Sequence, residues 1–383
     1  MLNFFNGVIK YILSILSVIL FIFVGLPDTI EQNLSEREKN IVQQIQRIES
    51  LSDAYASGDY VKVNESKLAG FDVNKAYADG VKFNEVAYVA THNSYQLRSV
   101  EAYRKIYSDL DTVTFGLVSG DAPLYSCDSL TEQFNVGIRS IELDIETVAD
   151  GDDVSFVCSH SPLIDMNSTC YDFELALKEI KMWSDANPGH LPITVIVEPK
   201  KVFIPDDGMK LFKMEYANRL DTLVRDTFGE KLLTPADMMG DYGSLKEMRE
   251  ADGWLPLKDC AGKVLVLLHD TTVTGKYIKQ DETIKTQAMF PMLRYADRDE
   301  SYASFLIVND TAKALKYRDE LVFEKKLIVR TMLDTYGSHS DEDRSCAFES
   351  CAQILSTDYP PRADMTGIDY YVDFAPGTVK IIK

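Results

Sequence analysis

The chain has 383 residues, with 40 Lys and Arg against 60 Asp and Glu, so its formal net charge is −20 at pH 7. With 45% hydrophobic and 26% charged residues it has the composition of a folded globular protein, which excludes wholesale disorder. The acidic balance excludes a nucleic-acid-binding protein, because a phosphate backbone would be repelled at long range. Any anionic substrate must therefore be met by a local cation, either a side chain or a bound metal ion.

The N-terminus begins with an apolar segment. Residues 11–26 carry no charge and directly follow Lys10. This length suits the core of a signal peptide and is a little short for a membrane-spanning helix. No clear cleavage site follows, so a removed signal peptide and a retained signal-anchor both stay open for residues 1–30. Either alternative predicts a secreted or extracytoplasmic protein, anchored to a membrane through residues 11–26 in the second case.

Residues 31–80 are predicted to form an amphipathic helix followed by a linker. The helical pattern covers residues 34–56, and the polar stretch after Ser57 is expected to be the linker. One face of the helix carries apolar residues at spacings of four, three and three: Ile41, Ile45, Ile48 and Leu51.

Six cysteines in an exported chain indicate disulfide bonds, since oxidising compartments preserve them. No CxxC pair is present, so a zinc–thiolate site is not predicted. The expected pairs, of which two are local in sequence, are Cys158 with Cys170, Cys346 with Cys351 and Cys127 with Cys260.

Residues 81–383 are predicted to form a single α/β domain. Most intervals between its candidate strands hold a helical pattern, such as 172–187, 209–228 and 311–323. Strands that alternate with helices predict a parallel sheet, and eight of them predict a closed (β/α)8 TIM barrel. The interval at Asp150-Gly-Asp is too short for a helix, so we expect a distorted barrel, with a doubly wound open sheet as the alternative. The candidate strands are 85–91, 138–146, 154–160, 192–199, 263–270, 305–310, 326–334 and 353–359.

Each of these apolar runs ends in ionisable or amide residues. In a parallel barrel the functional groups collect at this C-terminal end of the strands. Glu142 and Asp144 are two residues apart in a strand, so their side chains share a face and repel each other unless protonated or bridged by a metal ion. With Asn93 and Glu198 on other strands, an all-oxygen set is available that suits Ca²⁺ or Mg²⁺ better than Zn²⁺. The alternative is that these residues are solvated strand ends.

Two of the five histidines, His92 and His160, also end predicted strands. A histidine exchanges a proton near neutral pH, so both are candidates for acid–base catalysis, with a structural role as the alternative for each taken alone. His269 lies on the same rim and is expected to act only indirectly. Lys200 and Arg330 are the candidate cations for an anionic substrate, although most lysines in such a sequence are surface groups.

The ordered strand ends resemble those of the phosphatidylinositol-specific phospholipase C family. The resemblance covers about residues 83–361 and is greatest to the calcium-dependent, secreted, single-domain branch. It implies a distorted TIM barrel that cleaves the phosphodiester between inositol phosphate and diacylglycerol. The segments that carry it are 91-THNSY-95, 142-ELD-144, 158-CSHSP-162, 196-IVEPK-200 and 353-QILSTDYP-360.

By motif position, the resemblance implies that His92 and His160 are the catalytic histidines. Lys200 and Arg330 are predicted to bind substrate, an inositol phospholipid at a membrane surface, and no protein or nucleic-acid partner is predicted. The implied reaction is attack by the inositol 2-hydroxyl on the phosphodiester, giving a cyclic inositol phosphate. The implied Ca²⁺ ligands are Asn93, Glu142, Asp144 and Glu198.

Two alternatives were weighed against this function. A glycerophosphodiester phosphodiesterase is also a barrel with histidines and metal-binding carboxylates, but its usual His-Arg-Gly opening is absent and His92-Asn-Ser stands here instead. A non-catalytic barrel that binds inositol lipids would not need both histidines together with four oxygen ligands.

Overall fold

The computed structural model describes residues 26–60, 62–98, 125–151, 153–159, 166–200, 209–269, 273–335, 338–361 and 370–382. The strands are β1 Val86–Thr91, β2 Ser140–Asp150, β3 Asp153–Cys158, β4 Ile193–Pro199, β5 Met209–Lys210, β6 Val264–Leu268, β7 Phe290–Arg294, β8 Phe305–Ile307, β9 Ile328–Met332, β10 Asp334–Thr335, β11 Ser338–His339, β12 Ile354–Thr357 and β13 Val379–Ile381.

Eight of the strands are parallel and close into a barrel. They follow the order β1, β2, β4, β6, β7, β8, β9 and β12, and β12 pairs back onto β1. Apolar side chains of these strands and of the surrounding helices form one continuous core. This closure confirms the predicted TIM barrel and excludes the doubly wound open sheet, whose edge strands would remain unpaired.

Two strand assignments from the sequence were wrong in detail. The run 154–160 is not a barrel strand; β3 turns back at Gly151, which has φ 61°, and pairs antiparallel with the far end of β2. The eighth barrel strand, β7, which lies between β6 and β8, was missed. Its sequence, Phe-Pro-Met-Leu-Arg, contains a proline and lacks the β-branched residues that mark the other runs.

The helical intervals largely confirm the expected pattern. The interval 172–187 contains a helix capped by Asp172, whose carboxylate accepts from the Leu175 N–H. The helix within 209–228 begins later than expected, because Met209 and Lys210 pair with β2. The helices are α1 Leu26–Ser57, α2 Glu65–Ala69, α3 Val73–Ala78, α4 Leu130–Asn135, α5 Phe173–Ala186, α6 Met214–Phe228, α7 Pro235–Met239, α8 Leu245–Glu250, α9 Thr274–Ile278, α10 Thr311–Lys316 and α11 Asp341–Glu349, with 3₁₀ turns at Phe83–Glu85, Gly229–Lys231, Leu257–Cys260 and Tyr295–Asp297 and a π turn at Asp319–Glu324.

The predicted helix of residues 34–56 is present as α1, but its buried face differs from the predicted one. Ile48 is buried, whereas Ile45 is 43% exposed. Much of the buried stripe is polar, including Asn33, Asn40 and Gln44. The apolar spacing therefore identified the helix and not the face that packs.

Residues 62–80 contain α2 and α3 where the sequence predicted a linker. These two helices pack beside β13, at the end of the barrel where the strands begin. Together they cover a small apolar cluster that includes Val73, Val86, Tyr88 and Leu257. They form part of the folded body rather than a spacer.

The six cysteines are free thiols in the structure, so none of the predicted disulfides is confirmed. Cys158 and Cys170 are buried, and Cys170 is close enough to Cys158 to help raise the pKa of its thiol, after the larger effect of burial. The pairing of Cys127 with Cys260 is contradicted, because Cys127 contacts the Asn93 carbonyl at the C-terminal end of β1, whereas Cys260 precedes the start of β6.

Residues 1–25 of the predicted leader lie outside the described part of the chain. Within that part, none of the helices has the length and the apolar character that a membrane crossing requires.

Candidate active site

The turn after β1 brings the first candidate residues to the C-terminal end of the barrel. Asn93 has φ 43°, a left-handed conformation that asparagine tolerates better than most residues. The next residue ties this turn to β2, because the Ser94 N–H donates to the Glu142 carbonyl and the Ser94 hydroxyl accepts from the Glu142 N–H, both at 2.8 Å. Asn93 is thereby fixed beside the acidic end of β2.

Acidic side chains line one face of β2. Glu142, Asp144 and Glu146 alternate along the strand, so they project to the same side, and all three are buried. The parallel register places Asp144 opposite Glu198 on β4. Four carboxyl groups from two neighbouring strands therefore share the C-terminal end of the barrel.

Two cations compensate three of these carboxylates. Arg330 on β9 donates to Glu142 at 2.5 Å and to Asn309 Oδ1 at 2.5 Å. Lys200 lies between the other two carboxylates, with Nζ 2.9 Å from Asp144 Oδ2 and 3.1 Å from Glu198 Oε1. The predicted substrate-binding cations are thus paired with the predicted metal ligands.

This pairing sets the protonation of the two β2 carboxyls in opposite directions. Burial alone would raise the pKa of Glu142, but Arg330 and nearby histidines lower that pKa to about 2. Burial raises the pKa of Asp144 to about 6, since the repulsion from Glu198 and Glu142 adds to it and Lys200 only partly offsets it. Glu142 is therefore ionised at neutral pH, whereas Asp144 binds a proton or a cation more readily.

Glu146 extends the acidic row beyond the predicted ligands. Neither of its carboxyl oxygens has a hydrogen-bond partner within the described structure. Burial and the neighbouring Asp144 raise the pKa of Glu146 to about 7. The sequence analysis did not single out this residue, although its alternation with Glu142 and Asp144 could have done so.

One side-chain group in this region could hold a metal ion. Ligand atoms of Glu142, Glu198 and His269 all lie within 4.8 Å of one another. His269 Nε2 is 3.7 Å from Glu198 Oε2. The histidine for which the sequence predicted only an indirect role therefore lies within the cluster itself.

His92 forms an acid–base pair with a residue from the last barrel strand. Its Nδ1 lies 2.8 Å from Asp358 Oδ1, and its side chain is 23% exposed. Burial lowers the pKa of His92, but the Asp358 carboxylate more than offsets this, and the pKa lies above the ordinary histidine value. With Nδ1 directed at the carboxylate, Nε2 is the ring atom left for a substrate.

The Asp334 carboxyl group positions Asp358 by accepting hydrogen bonds at the end of β12. Asp334 Oδ1 accepts from the Asp358 backbone N–H at 2.7 Å, and Asp334 Oδ2 accepts from the Thr357 hydroxyl at 2.5 Å. Burial and the nearby Asp358 carboxylate raise the pKa of Asp334 to about 7. Asp334 therefore holds the end of β12 in the position that presents Asp358 to His92.

Residues 152–382 match the family model described as phosphoinositide phospholipase C, Ca²⁺-dependent. The chain belongs to this family. Membership in a phospholipase C family decides against the glycerophosphodiester phosphodiesterase, and homology to enzymes decides against the non-catalytic barrel. The matched segment contains Glu198, Lys200, Arg330 and Asp358 and begins after β2, so it does not include the predicted ligands on β1 and β2.

Solved phospholipases C share the fold. The calcium-dependent phosphoinositol-specific phospholipase C of a Gram-negative Pseudomonas species, in an apo crystal form, is 20% identical with a TM-score of 0.54, covering 83% of this chain and 100% of that one. The same enzyme, described as an apo form and myoinositol complex, gives 21% identity and 0.51 over 77% and 94%. The calcium-dependent enzyme of Streptomyces antibioticus gives 19% and 0.50 over 72% and 94%. A comparison with curated proteins gives no match.

The residues fit the calcium ion that the phospholipase C family implies. Buried Asn93 Oδ1 and Asp144 Oδ1 have no hydrogen-bond partner in the described structure, as expected of oxygens meant for a ligand that is not a protein group. Glu142 and Glu198 add carboxylate oxygens close by. Carboxylate and amide oxygens are the donors that calcium prefers.

The structure brings most of the predicted phospholipase residues to one end of the barrel. His92, Lys200, Arg330 and the oxygen donors lie there, linked by the contacts described above. His160 lies outside the described residues, so its placement stays a prediction. The sequence analysis assigned no role to Glu146, Asp334 and Asp358, and only an indirect one to His269.

Proposed function

We propose that the protein cleaves phosphatidylinositol into diacylglycerol and an inositol phosphate, with a cyclic inositol phosphate formed first. The observation that carries the proposal is the His92–Asp358 pair beside the Glu142, Glu198 and His269 cluster, within a phospholipase C barrel. Glu142 is close enough to His92 to raise its pKa. Proton transfer and charge stabilisation can therefore act on one bound phosphodiester.

The nucleophile is supplied by the substrate. The inositol 2-hydroxyl neighbours the phosphodiester, and a well-oriented intramolecular attack gains about 7–11 kcal/mol over a bimolecular one. The protein must hold the ring, accept the hydroxyl proton and protonate the departing diacylglycerol oxygen. We assign the last step to His160 as general acid, by its motif position.

His92 acts at the phosphate or at the attacking hydroxyl. Asp358 orients the imidazole and stabilises its charged form, which suits either a hydrogen bond to phosphate or acceptance of the hydroxyl proton. A carboxylate of the metal cluster is the alternative base. Water then opens the cyclic phosphate with the acid and base roles reversed.

Calcium would be held by Asn93, Glu142, Asp144 and Glu198, with His269 adjoining Glu198. When bound, Ca²⁺ acidifies the attacking hydroxyl and stabilises the charge on a phosphate oxygen. Glu142 and Glu198 already lie together in the structure, and one carboxyl oxygen of Asp144 accepts no hydrogen bond from the described residues.

Lys200 and Arg330 are proposed to neutralise the substrate phosphate. Their present partners are the carboxylates that would hold calcium, so each cation must divide its interactions between the protein and the substrate. Lys200 is the better placed, since its side chain is partly exposed while that of Arg330 is buried.

We further propose that the protein works outside the cytoplasm, on inositol phospholipid at a membrane surface. The uncharged run 11–26 supports export. In an oxidising compartment the adjoining thiols of Cys158 and Cys170 would form the disulfide that their sequence spacing predicts.

The proposal is tested by ³¹P NMR of phosphatidylinositol in mixed micelles, incubated with purified protein in buffered calcium or in excess chelator. We expect a cyclic phosphodiester resonance to appear first, and only with calcium. A first product of glycerophosphate or phosphatidic acid would overturn the proposed bond cleavage. Equal rates in chelator would overturn the calcium requirement, and His160→Ala at wild-type rate would remove that residue from the mechanism.

A further inference from the structure

Helix α1 lies along the outside of the barrel and runs in the same direction as α5. The Gln44 side chain donates to the Asp172 carbonyl at 2.8 Å and accepts from the Asp172 N–H at 2.9 Å, at the start of α5. Beyond the C-terminal end of α1, the Tyr60 hydroxyl donates to the Ala186 carbonyl at 2.8 Å, at the end of α5. The contacts advance along both segments together, which fixes their relative direction.

The direction of α5 is fixed by the barrel. Asp172, which caps α5, bridges to Val157 on β3, and Val157 pairs with Glu146 just past the site carboxylates. The other end of α5 leads into the start of β4. The N-terminal end of α5 therefore lies at the C-terminal end of the barrel, where the site is.

It follows that the N-terminal end of α1 lies on the active-site side of the barrel. The helix extends from Gln44 back to Leu26, about 27 Å at 1.5 Å per residue. Arg37 contributes to this placement, with its guanidinium 5.9 Å from the centroid of the Tyr171 ring, next to the start of α5. The apolar run 11–26 ends where α1 begins.

An ion pair and a hydrogen bond attach the middle of α1 to the folded body. Arg47 donates to the fully buried Glu179 carboxylate at 3.0 Å and to the Thr169 carbonyl at 2.6 Å. Thr29 and Asn33, in the first turns of the helix, are completely buried. The contacts made by Arg37, Gln44, Arg47 and Tyr60 therefore hold α1 against the folded body from Arg37 onward.

We propose that α1 holds the active-site end of the barrel towards the lipid bilayer that retains residues 11–26, so that the protein cleaves lipid in the membrane that anchors it. The identity of that lipid rests on the proposed function. Leu211 and Tyr371, 62% and 53% exposed, follow β5 and β12 on the same side of the barrel and would meet the lipid. A net charge of −20 cannot attract anionic lipid, so the anchor and these apolar side chains supply the attachment.

The orientation is tested by energy transfer from the full chain, reconstituted in vesicles, to an acceptor-labelled lipid. One donor is attached at Tyr371→Cys, on the active-site side. The matched control donor is attached at the exposed Lys258→Cys, in the turn before β6 at the opposite end. Both variants carry Cys346→Ser and Cys351→Ser. We expect more transfer from position 371; equal transfer, more transfer from position 258, or loss of the chain from the vesicles would overturn the proposal.

A second variant separates rigid orientation from tethering alone. A flexible Gly-Ser insertion between residues 27 and 28 should equalise transfer from the two positions while leaving hydrolysis of micellar lipid unchanged. An insertion that leaves the difference intact would show that α1 does not set the orientation. Neither readout needs catalysis, so an absence of phosphatidylinositol cleavage would refute the proposed function without bearing on the orientation.

Anchoring also predicts a preference for lipid in the same vesicle. At matched lipid content, hydrolysis should be about 10²-fold faster when protein and phosphatidylinositol share vesicles than when they occupy separate ones, since tethering raises the effective concentration. Equal rates would overturn cleavage in the anchoring membrane.

Discussion

His92 depends on Asp358 for both its charge and its orientation, because the imidazole Nδ1 lies 2.8 Å from that carboxylate. Replacing Asp358 with Asn removes the negative charge and keeps the shape. Since the carboxylate raises the pKa of His92 against the effect of burial, the variant should lower that pKa, as measured by NMR titration of the ring protons. Turnover should fall by about 10²–10⁴-fold, the range for a misoriented catalytic histidine.

The exposed Asp259→Asn variant removes the same charge far from the site and should change neither quantity. An unchanged His92 titration in Asp358→Asn would show that the pair does not exist in solution. A lowered pKa with wild-type turnover would show that His92 is not catalytic.

Calcium binding should depend more on Glu198, at the end of β4, than on His269, at the end of β6. Glu198 offers oxygen donors, whereas His269 offers a nitrogen, which calcium binds poorly. Glu198→Gln should weaken calcium binding in titration calorimetry by about 10–100-fold or more, at least the loss typical of a residue that supports a ligand. His269→Gln should weaken it less, and the reverse order would identify His269 as the ligand.

His190 ties stability to pH, since burial lowers its pKa to about 3 from the ordinary 6.5. Above pH 6.5 the ring is neutral in the folded and unfolded chains, so it adds no pH dependence. As pH falls from 6.5 towards 3, the unfolded chain gains a proton that the folded chain rejects, and the free energy of unfolding falls by up to about 1.4 kcal/mol per pH unit. His190→Gln should reduce this pH dependence of the free energy of unfolding, measured by urea unfolding between pH 6 and 4. An unchanged slope would contradict the claim that His190 is buried and neutral in the folded chain.

At the scale of the element, α1 is held by a buried ion pair rather than by an apolar face. Arg47 is the ion-pair partner of Glu179, whose side chain is 0% exposed. Arg47→Met would leave a buried charge unpaired, which typically costs about 3–5 kcal/mol. We expect a loss of that size in the urea-derived free energy of unfolding, reduced by whatever water reaches Glu179.

Lys39→Met on the same helix is the matched control, because Lys39 is exposed and its ion-pair partner among the described residues is the half-exposed Glu36. It should change the free energy of unfolding by less than about 0.5 kcal/mol. Equal small effects of the two substitutions would show that α1 does not pack on α5 in solution.

The sequence predicted elements wherever an element buries apolar residues in a regular rhythm. The runs that became β2, β4 and β6 are of that kind, and the barrel could be inferred from them. Two features were not predicted because they depend on tertiary partners. The first is β7, which pairs with both neighbouring strands despite its proline. The second is the buried face of α1, where Gln44 donates a hydrogen bond to the Asp172 carbonyl.

At the scale of the whole molecule, closure of the barrel brings strand ends that are distant in sequence together in one site. Polar residues at the ends of parallel strands could be predicted to converge, and Glu142, Asp144 and Glu198 do so. Their specific partners could not be predicted, because the pairing of His92 with Asp358 requires β12 to close onto β1, and that of Arg330 with Glu142 crosses the barrel interior. Spacing in sequence carries no information about contacts made across a closed sheet.

The most direct test of the account is an anomalous difference map from crystals grown in calcium, collected at a long wavelength. We predict a peak about 2.3–2.6 Å from oxygens of Asn93, Glu142, Asp144 and Glu198. Crystals of Glu198→Gln grown in the same calcium should show a weaker peak or none. A peak elsewhere on the barrel, or none among these four side chains in crystals of the active enzyme, would contradict the calcium site on which the proposed chemistry depends.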